Sequence, residues 1–178
     1  MPYLLDPTIP PEGKPRSPRT APDAPPTPME QRGQAGGLTF TRGGVLTPSS
    51  HLALQTAEFA NDHDLHSDGL HRALFKAHFE DLENIGDADI VVRLATEHGI
   101  DGEALREALD SGTYRERVDE QIEWARSLGV TGVPTFIFNE KYAIVGAQEY
   151  PVFQRVMAEL GHSPRGEDAT PSEPPPAS

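Results

Sequence analysis

The chain has 178 residues, a formal net charge of −13, 18 prolines and no cysteine. The length is that of a single folded domain, and the acidic charge argues against nucleic acids and anionic membranes as partners, because their phosphates would be repelled. Without cysteine, these residues form no disulfide, no thiolate metal site and no cysteine nucleophile.

Proline and glycine separate folded from unfolded parts. Ten of the 18 prolines lie in the first thirty residues, where apolar residues are too few to offset the entropy lost on folding. We expect a short strand at Pro2–Leu5, a disordered Pro/Gly-rich linker over residues 14–46 and a disordered tail over residues 162–178. The segment between linker and tail is expected to fold.

Helices are predicted from Thr47 to Gly129, because apolar residues recur there three to four positions apart. The first is expected to begin with Thr47 as N-cap and Pro48 in its first turn. The last of this series opens with an apparent capping box that runs from Thr113 to Glu116. The helices between them are predicted to start near Ser67, Asp87 and Asp101.

The hydrophobic period changes from 3.6 to 2 after Gly129. Thr135–Phe138 and Tyr142–Val145 are predicted strands joined by a turn at residues 139–141. A final helix is expected from Glu149 or Tyr150 to Gly161. Two strands alone bury a sheet face poorly, so we expect the rest of this sheet to be missing or supplied from elsewhere.

One motif carries the functional interpretation. It is the run Gly129-Val130-Thr131-Gly132-Val133-Pro134-Thr135-Phe136-Ile137-Phe138, with Tyr142-Ala143-Ile144-Val145-Gly146-Ala147-Gln148 after it. It resembles the cis-proline loop of the thioredoxin superfamily. Together with the helical segment, it resembles the DsbA-like oxidoreductases, and within them the FrnE-type branch. The further landmarks of this resemblance are Leu5–Pro7, Ile9–Gly13, His51–Leu54, Ala57–Ala60, Leu70–Phe79 and Asn84–Asp87.

The resemblance implies an α/β fold, namely an incomplete thioredoxin-like fold with an inserted all-helical domain. Residues 1–13 would be a remnant of the second thioredoxin strand, residues 47–128 the inserted domain, and residues 129–161 the C-terminal half of the thioredoxin fold. The N-terminal strand, the Cys-x-x-Cys motif and the first helix of the family would be lacking. The run at 14–46 has no counterpart in the family pattern.

The resemblance also assigns candidate substrate-binding residues. These are Thr131, Gly132, Val133 and Pro134. Pro134 would follow a cis peptide bond, and the Val133 backbone would pair with a substrate strand; an ordinary trans-proline at the start of a strand is the alternative. No catalytic residue is assigned.

The expected partner is a protein or peptide that carries a thiol or disulfide. Without the family's first strand, Thr135–Phe138 would be an exposed apolar edge, and such edges recruit partners or self-associate. No cofactor is expected.

A cluster of imidazoles and carboxylates was weighed as a metal site. Its members are Asp62, His63, Asp64, His66, Asp68, His71 and His78. His71 and His78 are seven positions apart on a predicted helix, and His63 and His66 lie in a predicted loop, so a solvated surface without metal is the prediction.

Three functions follow from these observations. The first is a FrnE-like thiol–disulfide oxidoreductase by descent, catalytically incompetent here because no cysteine is present. The alternatives are a non-catalytic peptide-binding module and a relative of glutathione-dependent isomerases. Because Met1–Asp6 lacks the basic and apolar regions of a signal peptide and no stretch reads as a transmembrane helix, we expect a cytoplasmic protein.

Overall fold

The protein was analysed as a computed structural model, in which residues 1–18, 20–63, 65, 68–139 and 141–163 are described. The chain divides into two units, Met1–Gly129 and Val130–Ser178. The first unit is helical apart from one short strand pair. Its elements are β1 (Lys14–Pro15), α1 (Pro28–Ala35), β2 (Leu46–Thr47), α2 (His51–Asp62), α3 (Asp68–Phe79), α4 (Ala88–Glu97), α5 (Gly102–Ser111) and α6 (Arg115–Ser127).

Apolar side chains from α2 to α5 form the core of the first unit. Leu70, Val91 and Leu105 are essentially inaccessible to solvent, and Phe59 of α2 meets Tyr114 edge to face with ring centroids 5.8 Å apart. The i, i+3, i+4 spacing places these residues on one face of each helix, which explains why the helices pack together. The predicted helices are therefore confirmed.

Two predicted helix starts are wrong. The helix expected at Thr47 begins at His51 with Ser50 as N-cap, because Thr47 is paired with Lys14 in the β1–β2 ladder. The expected capping box at Thr113 does not form either. The Thr113 hydroxyl lies 2.8 Å from the Ser111 hydroxyl, and α6 begins at Arg115 without a side-chain cap. By contrast, the helix starts predicted near Asp87 and Asp101 are confirmed, and these two residues are the N-caps of α4 and α5.

The segment 14–46 differs from the expected disordered linker. It contains β1 and α1, and α1 opens with a capping box in which Thr27 and Glu30 bond each other's backbone amides. The Arg42 guanidinium donates to both Glu30 carboxylate oxygens and to the carbonyls of Ala21, Pro22, Ala24 and Pro25. One arginine thus satisfies backbone acceptors that no regular element could pair. At Pro2–Leu5 the expected strand is absent.

The second unit holds β3 (Thr135–Phe138), β4 (Tyr142–Val145) and α7 (Tyr150–Glu159). The strands pair antiparallel with Phe136 opposite Ile144, and Phe138 opposite Tyr142. The predicted hairpin is confirmed at both strands, and the turn uses Asn139 with a positive φ of 48°. Residues 164–178 of the predicted tail lie outside the described residues.

A candidate substrate-binding loop

The four predicted binding residues lie together in one loop that enters β3. The Val133–Pro134 peptide bond is cis, which agrees with the expectation from the resemblance. The Thr135 hydroxyl donates to the Gly132 carbonyl at 2.7 Å, and the Gly146 amide donates to the Pro134 carbonyl at 2.8 Å. The loop is therefore held at its C-terminal end by the hairpin that follows it.

The loop from Thr131 to Pro134 is open to solvent. Thr131, Val133 and Pro134 are exposed, and Val133 retains 48% of its accessible surface. A Cβ atom added at Gly132 would meet nothing within 4 Å. Within the described part of the chain, the amide and carbonyl of Val133 take part in no hydrogen bond. An extended peptide could therefore approach this backbone without displacing protein atoms.

The register of the hairpin shows which backbone groups of β3 face outward. Since the Gly146 amide bonds the Pro134 carbonyl and Phe136 lies opposite Ile144, the even-numbered residues of β3 exchange hydrogen bonds with β4. The amides and carbonyls of Thr135 and Ile137 then point away from β4. Among the described residues, the sheet contains only these two strands. The outward amides and carbonyls of Thr135 and Ile137 therefore follow directly on the backbone groups of Val133, which also lack a partner there.

The two faces of the hairpin differ in their cover. Phe136 packs edge to face on Phe153 of α7, with ring centroids 5.0 Å apart, and Ile144 beside it is buried. On the opposite face, Ile137 and Val145 keep 42% and 49% of their accessible surface. The open edge therefore adjoins an apolar face, which suits the alternating side chains of an added strand.

The loop has the chemistry of a binding surface and not of a catalytic centre. From Thr131 to Pro134 it offers backbone groups, one hydroxyl and apolar side chains, and no group that titrates near neutral pH. General acid–base catalysis and thiolate attack both need such a group.

A polar network between α2 and α6 was not predicted from the sequence. His51 Nε2 donates to Asp119 Oδ1 at 3.0 Å, and Gln55 Nε2 donates to His51 Nδ1 at 2.9 Å. Gln55 is fully buried and its Oε1 has no partner among the described residues. His51 and Asp119 are 68 positions apart in the sequence, so no local spacing could have revealed this contact.

A second group links the same helices. Arg117 Nε lies 3.0 Å from Glu58 Oε2, and Arg117 Nη1 lies 2.7 Å from both Asp62 oxygens. The hydrogen bond from Arg117 lowers the pKa of Asp62, whereas burial raises the pKa of Tyr114. The Asp62 shift arises from an ion pair that holds two helices together, and the group lies in the helical unit, outside the loop.

Of the histidines considered as metal ligands, His63 and His78 pack against phenylalanine rings, and His71 is exposed. His63 Nδ1 donates to the Phe59 carbonyl at 2.8 Å and stacks on the Phe59 ring, and His78 packs against Phe79. Asp64 and His66 lie outside the described residues. Among the residues that are described, no group of three or more side chains is arranged to hold a metal ion, and no helix is long and apolar enough to cross a membrane.

Comparison with known proteins is consistent with this fold. A probable DsbA oxidoreductase from Streptomyces coelicolor superposes with a TM-score of 0.67 and 26% identity, over 81% of this chain and 67% of that one. An uncharacterised protein of Bacillus subtilis, YwbO, is 32% identical over 113 residues, which cover 63% of this chain. The match spans 56% of the length of that relative.

The family assignment covers nearly the whole described chain. The DSBA-like thioredoxin domain matches residues 3–158, which include the helical unit as well as the loop, the hairpin and most of α7. The mixed α/β, helix-rich architecture predicted from the sequence is therefore confirmed as thioredoxin-like. The chain belongs to the DSBA-like thioredoxin domain family.

Proposed function

We propose that the Thr131–Pro134 loop and the adjoining edge of β3 bind an extended segment of a protein or peptide, as the substrate-holding part of a DsbA-type thiol–disulfide oxidoreductase. The observation that carries this proposal is the outward run of backbone groups at Val133, Thr135 and Ile137, which have no partner in the described part of the chain. A strand added at such an edge gains main-chain hydrogen bonds.

The redox half of the activity needs sulfur atoms that these residues do not contain. Thiol–disulfide exchange proceeds by attack of a thiolate on a disulfide sulfur, and the 178 residues include no cysteine. These residues on their own therefore bind polypeptide and transfer no electrons. A non-catalytic binding module is the second candidate function, and the same lack of thiols favours it. A glutathione-dependent isomerase stays a prediction from resemblance alone.

A cysteine-free peptide separates binding from redox chemistry. The probe is a fluorescein-labelled peptide of alternating valine and threonine, and fluorescence anisotropy measures its binding. Ile137→Pro removes an amide that faces outward and plays no part in the β3–β4 ladder, so we expect it to weaken binding by about tenfold or more.

The hairpin supplies its own matched control. Ala143 lies opposite Ile137, and its amide faces the outer edge of β4, so Ala143→Pro inserts the same residue at the other edge. Binding should survive Ala143→Pro. Equal losses in both variants, or no saturable binding by the wild-type chain, would show that the β3 edge is not the binding surface.

A second measurement tests the redox half. The 178-residue chain should not accelerate the reduction of insulin by dithiothreitol. Protein isolated from its native cells is then alkylated and its intact mass determined. Two alkylated thiols on a larger polypeptide would favour the oxidoreductase, whereas an unmodified mass of 19.4 kDa would favour the binding module.

Self-association through Thr135–Phe138 is part of the same proposal, because a second copy can pair with an open strand edge. Sedimentation velocity over a range of concentrations tests it, and Ile137→Pro should shift the distribution toward monomer. The FrnE-type branch and the cytoplasmic compartment stay predictions, and cell fractionation with immunoblotting checks the compartment.

A further inference from the structure

A cavity of about 590 Å³ lies between the segment around Arg16 to Thr47 and the C-terminal end of α3. That volume falls within the range of small-molecule sites in proteins. Most of its wall comes from the Pro/Gly-rich segment, and none of its lining residues belongs to the substrate-binding loop.

The floor of the cavity is aromatic. Phe40 and Phe79 meet edge to face with ring centroids 5.6 Å apart, and the His78 ring lies 4.4 Å from Phe79. Leu82 also lines the cavity. Its φ of 57° is a left-handed conformation that is unusual for leucine. Aromatic rings arranged edge to face leave room for a third ring to pack against them.

A guanidinium with free donors lies at the side of this cavity. Arg16 Nε donates to the Leu46 carbonyl at 3.2 Å, which fixes the side chain. Among the described residues, its two terminal nitrogens make no hydrogen bond and no ion pair. The planar end of an arginine matches a carboxylate with two parallel hydrogen bonds.

The charges around the cavity favour an anion. The charged residues of the lining are Arg16, Arg42 and Glu30, and Glu30 is already neutralised by Arg42 at 2.8 Å. The nearby Glu83 is paired with Arg93 at 2.6 Å. Burial and the charge of Arg16 lower the pKa of His78, so this imidazole is neutral at neutral pH. The described lining therefore contributes one positive charge without an ion-pair partner, that of Arg16.

The Arg16 guanidinium approaches the backbone closely at Gly44. A Cβ atom at Gly44 would lie 2.8 Å from Arg16 Nη2 and 3.3 Å from Leu82 Cδ2, which is too close for the present arrangement. Because the overlap falls on the end of a flexible side chain, alanine at this position would displace the guanidinium and leave the backbone in place.

We propose that this cavity binds a small aromatic carboxylate, with the carboxylate on the Arg16 guanidinium and the ring against Phe40 and Phe79. The carboxylate supplies the anionic partner that the Arg16 guanidinium lacks among the described residues. The apolar ring covers the aromatic floor of the cavity.

Phenylacetate is the probe, and its neutral analogue 2-phenylethanol is the reference. A titration followed by ¹H–¹⁵N NMR should give saturable shifts at the amides of Gly43, Gly44 and Leu82, with a dissociation constant of about 1 mM or tighter. The alcohol should bind about tenfold more weakly or worse, because it lacks the charge.

Two variants test the contact between the ligand carboxylate and Arg16. A third removes an arginine elsewhere and controls for the change in net charge. Arg16→Gln removes the charge, and Gly44→Ala keeps the charge but displaces the guanidinium; each should weaken phenylacetate binding by about tenfold. Arg155→Gln removes an exposed arginine from α7 and should leave binding unchanged. Equal affinity for acid and alcohol, unchanged binding in Arg16→Gln, or no saturation at millimolar phenylacetate would overturn the proposal.

Discussion

Phe136 of β3 and Phe153 of α7 pack edge to face, with ring centroids 5.0 Å apart and ring planes at 88°. Phe136 stays 41% exposed despite this contact, while Ile144 on the same face is 5% exposed; on the other face, Ile137 and Val145 keep 42% and 49% of their accessible surface. Because side chains alternate along a strand, the contact places Phe136 and Ile144 on the face of the hairpin toward α7, and Ile137 and Val145 on the opposite face.

Phe153→Ala should loosen the second unit. The variant loses an aromatic pair and part of the apolar burial, a cost of about 1–2 kcal/mol for a half-exposed pair. Amide hydrogen exchange at Ile144 would measure the change as faster exchange. Tyr150→Ala, on the same helix and 71% exposed in the wild type, is the control and should exchange at the wild-type rate. Unchanged exchange in Phe153→Ala would show that the ring contact does not hold the hairpin.

Glu30 should make the stability of the α1 segment depend on pH. Hydrogen bonds from Arg42 and from the Thr27 amide lower the Glu30 pKa from 4.5 to about 2. A carboxyl whose pKa is lower in the folded state stabilises the fold above its unfolded pKa. This stabilisation is lost as the pH falls from about 4.5 towards 2.

The difference between wild type and Glu30→Gln isolates this contribution. Exchange at the Gln31 amide should be faster in Glu30→Gln than in wild type at neutral pH, and the two should converge as the pH falls through this window. Exposed Glu12→Gln should match the wild type throughout. A constant difference between wild type and Glu30→Gln over the whole range would contradict the assignment.

Arg117→Ala should destabilise the helical unit more than loss of an exposed ion pair does. Arg117 contacts both Glu58, whose side chain is 10% exposed, and Asp62, so its removal leaves a largely buried carboxylate without its cation. Because Arg117 itself is 45% exposed, water screens the pair and a loss of about 1–3 kcal/mol is expected.

Urea unfolding would measure that loss as a lower midpoint. Arg93→Ala removes pairs with Glu83 and Glu97, whose side chains are 32% and 52% exposed, and it should cost less than about 1 kcal/mol. If the two variants unfold at the same midpoint, Glu58 does not depend on Arg117.

Gly33→Ala should destabilise α1 even though alanine favours helices over glycine. A Cβ at Gly33 would overlap the Phe40 ring, and overpacking of this kind costs about 1–3 kcal/mol. Limited proteolysis of the 28–42 region would detect the loss as faster cleavage. Gly36→Ala is the control, since its Cβ would meet only the carbonyls of Gly33 at 3.4 Å and Arg32 at 3.7 Å, which are ordinary contacts. Slower cleavage of Gly33→Ala would mean that helix propensity outweighs the steric overlap.

Local patterns predicted what depends on neighbours in the chain. The strands Thr135–Phe138 and Tyr142–Val145 match the structure residue for residue, because an alternating pattern and a turn are local properties. The same holds for the helix starts near Asp87 and Asp101. The Thr113 box failed because its hydroxyl had a competing partner in Ser111, which a motif alone does not reveal.

The sequence alone determined the helical faces, the hairpin, the loop from Thr131 to Pro134 and the family resemblance, since each rests on short-range spacing or on a contiguous motif. The tertiary structure decided that residues 14–46 contain ordered elements. Arg42 donates hydrogen bonds there to Glu30 and to the carbonyls of Ala21 and Pro25, which are 12 to 21 positions away in the sequence. The tertiary structure also decided that Arg16, Gly44 and Phe79 enclose one cavity. Contacts between residues tens of positions apart form only when packing closes the chain on itself, and no local pattern encodes them.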